Sequence, residues 1–307
     1  MQQSGQNLAA SQRKCQSLCS LCLVRRPRVF TRRISTRGNA VSSSQRKAAS
    51  APASSEAAIE RPVSAGGNVA SFGSDVVAET LRALDIPYIA LNPGASYRGL
   101  HDSLVNYLGN ERPQMLLCLH EEAAIAIAHG YAKVTGRAMA TAVHSNVGLM
   151  HGTMAIFNAW CDRMPVIVLG ATGPVDATHR RPWIDWIHTA RDQGALVRGY
   201  TKWDDQPASP AAAREAVLRA AWIANTAPCG PVYVNLDAGL QEAKLPEPLP
   251  PIETGRFIPQ ATSAAPAALI EQAADMLSAA KRPVILAGRV SRSVESWNAR
   301  IALAEVI

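Results

Sequence analysis

The residue types that hold or move protons are concentrated in one stretch. All seven histidines lie between positions 101 and 188. Two carboxylates stand together in Leu119-His120-Glu121-Glu122-Ala123-Ala124, followed by His129-Gly130-Tyr131-Ala132 and then Thr135-Gly136. A carboxylate that opens a helix directly after a buried strand lies at the sheet edge where ligands bind. The same spacing suits a plainer role, since acids in a first turn favour the helix dipole by about 0.3–1 kcal/mol. His144 closes another apolar run and has two readings, a proton-transfer group or a strand-end histidine with satisfied hydrogen bonds. No Gly-x-Gly-x-x-Gly and no P-loop occurs, which removes two common routes to a nucleotide-binding α/β protein.

These residues need a scaffold, and the hydrophobic pattern supplies one. Gly73-Ser74-Asp75 offers caps for a helix over Val76–Leu84, and Tyr88–Leu91 is a short apolar strand closed by Asn92-Pro93-Gly94. A helix over Leu100–Leu108 and a strand over Met115–Leu119 come next. An Ala-rich helix then runs from Glu121 to Thr135 and ends at Gly136. Strands over Met139–Val143, Val166–Gly170 and Pro231–Leu236 alternate with helices over Met150–Trp160 and Ala211–Ala224. Short strands alternating with longer helices predict an α/β fold, a parallel sheet with helices on both faces. Right-handed crossovers then put the carboxyl ends of the strands, and any ligand, along one edge.

The expected organisation has four parts. Residues 1–65 form a basic leader, residues 66–243 the α/β domain and residues 244–262 a Pro-rich linker. Residues 263–307 begin a second α/β domain cut short, with a helix over Pro266–Ala280 and a strand over Pro283–Gly288. Of 31 Lys and Arg and 24 Asp and Glu, ten and two respectively fall in residues 1–60. The basic charge therefore belongs to the leader, and the near-neutral remainder gives no reason to expect nucleic acid. Arg-rich, Ser-rich and poor in acids, the leader has the composition of a disordered segment. It fits a mitochondrial or plastid transit peptide, or a start codon placed too far upstream in a cytoplasmic protein. No apolar run reaches the length of a membrane span. Cys15, Cys19 and Cys22 lack a fourth ligand nearby, so no metal site is expected there. Cys118, Cys161 and Cys229 are expected as buried free thiols.

Taken in order, several segments resemble the N-terminal, pyrimidine-binding domain of thiamine diphosphate-dependent enzymes, in the acetolactate synthase and benzoylformate decarboxylase branch. They are Asn92-Pro93-Gly94, His120-Glu121 with Gly130-Tyr131-Ala132, and His144-Ser145-Asn146-Val147-Gly148. Thr201-Lys202-Trp203 and Ala227-Pro228-Cys229-Gly230-Pro231 agree, and the likeness covers about residues 72–240.

The resemblance implies roles. Counting back from Gly130-Tyr131-Ala132 selects Glu121 over Glu122 as the acid that bonds N1′ of the aminopyrimidine, so that the 4′-nitrogen can remove the thiazolium C2 proton. The physics is sound, because a carboxyl in a low-dielectric cleft facing a ring nitrogen shares a proton as a surface acid does not. His144 is implied to face the substrate, and Pro93, Gly94 and Gly148 to line the cofactor. His151 stands where many relatives carry Asn, and Ala95 where the decarboxylase has Ser, so the particular substrate stays open. Trp183, Trp186 and His188 are expected in core packing or a subunit contact. The family is homodimeric or tetrameric, with its site at a subunit interface. It uses Mg²⁺ held by a C-terminal domain carrying Gly-Asp-Gly, and no Gly-Asp-Gly occurs here. The expected function is therefore the N-terminal half of an enzyme acting on a small 2-oxo acid, by decarboxylation or carboligation, and inactive alone. The alternative is a non-catalytic or split subunit that pairs with a separate diphosphate-binding chain.

Overall fold

A computed structural model describes residues 69–259 and 264–307. The expectations for the leader, including its cysteines, lie outside the described residues. Six parallel strands form one sheet in the order β2-β1-β3-β4-β6-β5: β1 Tyr88–Leu91, β2 Gln114–Leu117, β3 Met139–Ala142, β4 Val166–Thr172, β5 Asp204–Asp205 and β6 Val232–Asp237.

Side chains alternate across a strand, so each strand feeds both faces. Ile89 and Leu91 of β1, with Ile167 and Leu169 of β4, join one core. Two helices cover it, α1 (Gly73–Ala83) through Val77 and Leu81, and α5 (Pro210–Asn225) through Val217 and Ala220. Ala90, Val166 and Val168 point the other way into a second core. There they meet Ile125 and Ala128 of α3 (Glu121–Thr135) and Leu149 and Ile156 of α4 (Ser145–Asp162). β3 and β4 are buried along their whole length, as central strands of a parallel sheet covered on both faces must be. The expected fold class holds for this sheet.

The elements differ from expectation where local pattern is a weak guide. α1 is capped at Phe72, with Asp75 accepting from the Ser71 and Phe72 amides at 2.9 and 3.0 Å. The helix expected over Leu100–Leu108 is a short α2 (Arg98–Asp102) that continues as a π-helix through Ser103–Tyr107. α4 begins at Ser145, directly after β3, where a loop is expected. α3 has the expected bounds, and Gly136 ends it in the left-handed region at φ 72°.

α6 (Ala238–Glu242) closes the sheet domain, and α7 (Ala267–Ala279) and α8 (Val294–Val306) follow. The strand expected over Pro283–Gly288 does not form. Val284, Ile285 and Leu286 are 80%, 50% and 93% exposed. An apolar run becomes a strand only by pairing, and no strand lies beside this one among the described residues. Cys118 is buried as expected, whereas Cys161 is exposed on α4 and Cys229 half-buried. No helix among the described residues is long and apolar enough to cross a membrane.

Gly130 lies inside α3, and a Cβ built there meets nothing within 4 Å. Gly130→Ala is expected to stabilise the chain by about 0.5–1 kcal/mol, because Gly loses more backbone entropy than Ala in a helix interior. Chemical denaturation reads this directly, and a lower midpoint would mean that the α3 surface at Gly130 is occupied.

Candidate active site

The candidate residues gather where β1, β2 and β3 deliver the chain from the sheet into turns and helices. β2 is followed by His120, the N-cap of α3, whose Nδ1 accepts from the Glu122 amide at 3.2 Å. That cap starts the helix at Glu121. Successive helix residues point about 100° apart, and the two acids diverge accordingly: Glu121 is 4% exposed, and Glu122 faces solvent.

What holds Glu121 is a close approach of α4. A Cβ at Gly148 would lie 2.7 Å from Glu121 Oε1 and 3.0 Å from His144 Cβ. Only glycine leaves that space to the carboxylate. Near enough to feel the Glu121 charge lies Tyr97, 1% exposed, whose hydroxyl has no hydrogen-bond partner among the described residues. Burial raises the Tyr97 pKa, and the Glu121 charge raises it further. His151 Nδ1, on the solvent side, stands 3.6 Å from Glu121 Oε2.

His144 caps α4 after β3 and packs against the turn after β1. A Cβ at Gly94 would meet the His144 ring at 2.7 Å, so Gly94 is required by close approach. Pro93 is exposed in the same turn. Ser96 Oγ accepts from the Ser145 amide at 3.1 Å and lies 2.7 Å from His144 Nδ1. The hydroxyl hydrogen then donates to Nδ1, which places the ring proton on Nε2, an assignment made from the hydrogen-bond pattern. The His188 ring stands 4.5 Å from that of His144 at 61°. Burial first, and the neighbouring His188 second, hold the His144 pKa below the ordinary imidazole range against the pull of Glu121.

One of these partners, Ser96, carries no sequence signal, and the other, His188, expected in core packing or a subunit contact, joins the site from 44 residues away. Trp183 and Trp186 are 74% and 72% exposed, which removes core packing and leaves the subunit contact of the expectation. Their loop is anchored instead by Asp185, 1% exposed, which pairs with Arg181 at 2.9 Å.

Residues 72–197 match the model of the thiamine pyrophosphate enzyme N-terminal TPP binding domain. This segment is similar to that domain. Among curated relatives, the acetolactate synthase large subunit of Lactococcus lactis is 29% identical over 231 residues, 75% of this chain and 37% of that protein. Benzoylformate decarboxylase of Pseudomonas aeruginosa is 25% identical over 173 residues, 56% of this chain and 32% of that protein. The crystal structure of benzoylformate decarboxylase from Polynucleobacter necessarius superposes with a TM-score of 0.57 at 20% identity, over 70% of this chain and 38% of that one. The chain thus spans less than half the length of these relatives. Thiamine diphosphate is the cofactor that such a domain binds.

The depressed His144 has a consequence for pH. The unfolded chain takes up a proton near the ordinary imidazole pKa and the folded chain only at lower pH. Acidification through that window therefore costs stability, and the loss is complete below the folded value. An NMR titration of the imidazole signals is expected to place His144 below the ordinary value, and His188→Phe to bring it partway back. A His144 pKa at or above the ordinary value would remove His188 and burial as its determinants.

Proposed function

We propose that residues 66–243 form the pyrimidine-binding half of a thiamine diphosphate-dependent enzyme acting on 2-oxo acids, by decarboxylation or carboligation. In this reading, residues 263–307 begin the next domain beyond the Pro-rich linker. The observation that carries the proposal is a buried carboxylate, Glu121, held against Gly148, where a Cβ would crowd it. The chemistry of the site fits the cofactor, because a buried acid is what a ring nitrogen can share a proton with.

When bound, thiamine diphosphate offers a nucleophilic thiazolium C2 for attack on the carbonyl of the 2-oxo acid. Glu121 would share a proton with a ring nitrogen of the bound cofactor. Gly148 and Gly94 leave room for the Glu121 carboxylate and the His144 ring, and with Pro93 in the turn after β1 would line the cofactor. His144, neutral and carrying its proton on Nε2, holds that proton for the substrate. Ser96 fixes the orientation of the imidazole. No Gly-Asp-Gly occurs in this sequence, so Mg²⁺ and the diphosphate are assigned to another domain or chain. The exposed Ile127 and Val134 of α3, with Met150, Met154 and Phe157 of α4, offer an apolar face for the assembly that completes the site. The resemblance implies a dimer or tetramer with its site at a subunit interface.

The test is reconstitution. Mixing the purified chain with a separately expressed diphosphate-binding domain, Mg²⁺ and thiamine diphosphate should speed exchange of the thiamine C2 proton above that of the free cofactor. Exchange at the free rate in a mixture that demonstrably assembles would overturn the reading.

A further inference from the structure

We propose that His120, Glu121 and His151 form a binding site for one late divalent transition-metal ion, zinc above all. One ligand atom from each of the three residues lies within 4.8 Å of the others. The Glu121–His151 pair is already at 3.6 Å. The two imidazole rings stack 4.9 Å apart and only 11° from parallel. Around a tetrahedral ion with bonds of about 2.0–2.2 Å, neighbouring ligand atoms sit about 3.4 Å apart. One pair is thus nearly in place, and the others need about 1 Å of closure.

The parts that must move are the ones able to. His151 is 62% exposed at its side chain and His120 is also exposed, while Glu121, at 6%, stays fixed. His120 is the N-cap of α3 and His151 lies in the second turn of α4. Ordered backbone therefore presents both rings, and side-chain rotation suffices. Ligation takes His120 out of its cap bond to the Glu122 amide, since a metal on one ring nitrogen leaves the proton on the other.

The donor set selects the ion. Two imidazoles and one carboxylate with an open fourth position suit Zn²⁺, Co²⁺ or Ni²⁺, whereas Mg²⁺ requires oxygen ligands in octahedral geometry. The positive end of α3 opposes a cation here. Glu121, together with the exposed Glu122 beside it, supplies the compensating negative charge. Two histidines 31 positions apart form no sequence motif, so only the fold shows the site. Its consequence rests on the function proposed above: an ion on Glu121 occupies the carboxylate needed for cofactor activation, and one excludes the other.

Calorimetric titration of Zn²⁺ into the tag-free full chain tests this. One site of micromolar affinity is expected. His151→Asn and His120→Asn, the latter keeping a good N-cap, should each weaken it by at least about tenfold. His101→Gln, at a half-exposed histidine near Asp102, should leave it unchanged. Co²⁺ should give the visible bands of a tetrahedral site without a thiolate charge-transfer band. Zinc affinity unaltered by both Asn variants, a thiolate band, or no saturable binding would overturn the proposal. The titration contains no thiamine, so its failure leaves the role of Glu121 in activation untouched, and the reverse also holds.

Discussion

Glu121→Gln is expected to slow exchange of the thiamine C2 proton by about two orders of magnitude or more, in an enzyme completed with a diphosphate-binding domain. Glu122→Gln is expected to leave it within a few-fold. Gln keeps the shape of the side chain and one acceptor, but it cannot share a proton with a ring nitrogen. Glu121 is the acid in position to do so, because it is buried against Gly148 while Glu122 leaves the helix in another direction. Cofactor affinity should change far less, since the diphosphate is held elsewhere. Acid-quenched hydrogen–deuterium exchange followed by NMR reads the rate. If Glu122→Gln is the slow variant, the acid facing the pyrimidine is the neighbouring one. If neither variant is slow, the activating role does not belong to this helix start.

The scaffold is legible in the sequence where local pattern and tertiary demand agree. The Ala-rich stretch before Gly136 shows the bounds of α3, because good helix formers end there at a residue suited to the left-handed region. Apolar runs of four to six residues show β1, β3 and β6, since strands buried on both faces leave no room for polar alternation. The start of α4 is hidden for the opposite reason. Ser145-Asn146-Val147-Gly148 is a poor helix-forming tetrapeptide, and it is helical because Gly148 must approach Glu121 and His144. The expected strand over Pro283–Gly288 fails for lack of a neighbour, which no local pattern can reveal.

The candidate site divides along the same line. Glu121, His144, Gly94 and Gly148 are found through resemblance and order along the chain, and the fold brings all four together. Their tuning partners come from distant segments. Ser96 lies 48 residues from His144 in the chain, and His188 reaches it from the far side of β4. Neither residue type carries a signal of its own, since a serine after a turn and a histidine in a loop are ordinary. Only the meeting of β1, β3 and the loop after β4 brings them against His144. The same geometry keeps His144 neutral until the pH falls below the ordinary imidazole range.

Gly148→Ala should separate the architecture of this site from the stability of the domain. The added Cβ would stand 2.7 Å from Glu121 Oε1, 3.0 Å from His144 Cβ and 3.1 Å from Glu121 Cγ. The first contact involves the far end of a flexible side chain, so the carboxylate can swing away toward His151 and solvent. Folding is therefore little affected. The overcrowding cost is offset by the better helix propensity of Ala, leaving a net change of about 1 kcal/mol or less. Function has no such escape, because a carboxylate displaced by about 1 Å no longer faces the ring nitrogen, and a misplacement of that size costs on the order of a hundredfold. The expected pattern is near-normal denaturation with C2 exchange reduced almost as far as in Glu121→Gln. Because both changes disable one carboxylate, the double variant should be no slower than Glu121→Gln alone. Full exchange in Gly148→Ala would show that the carboxylate does not work from the position it occupies in this structure.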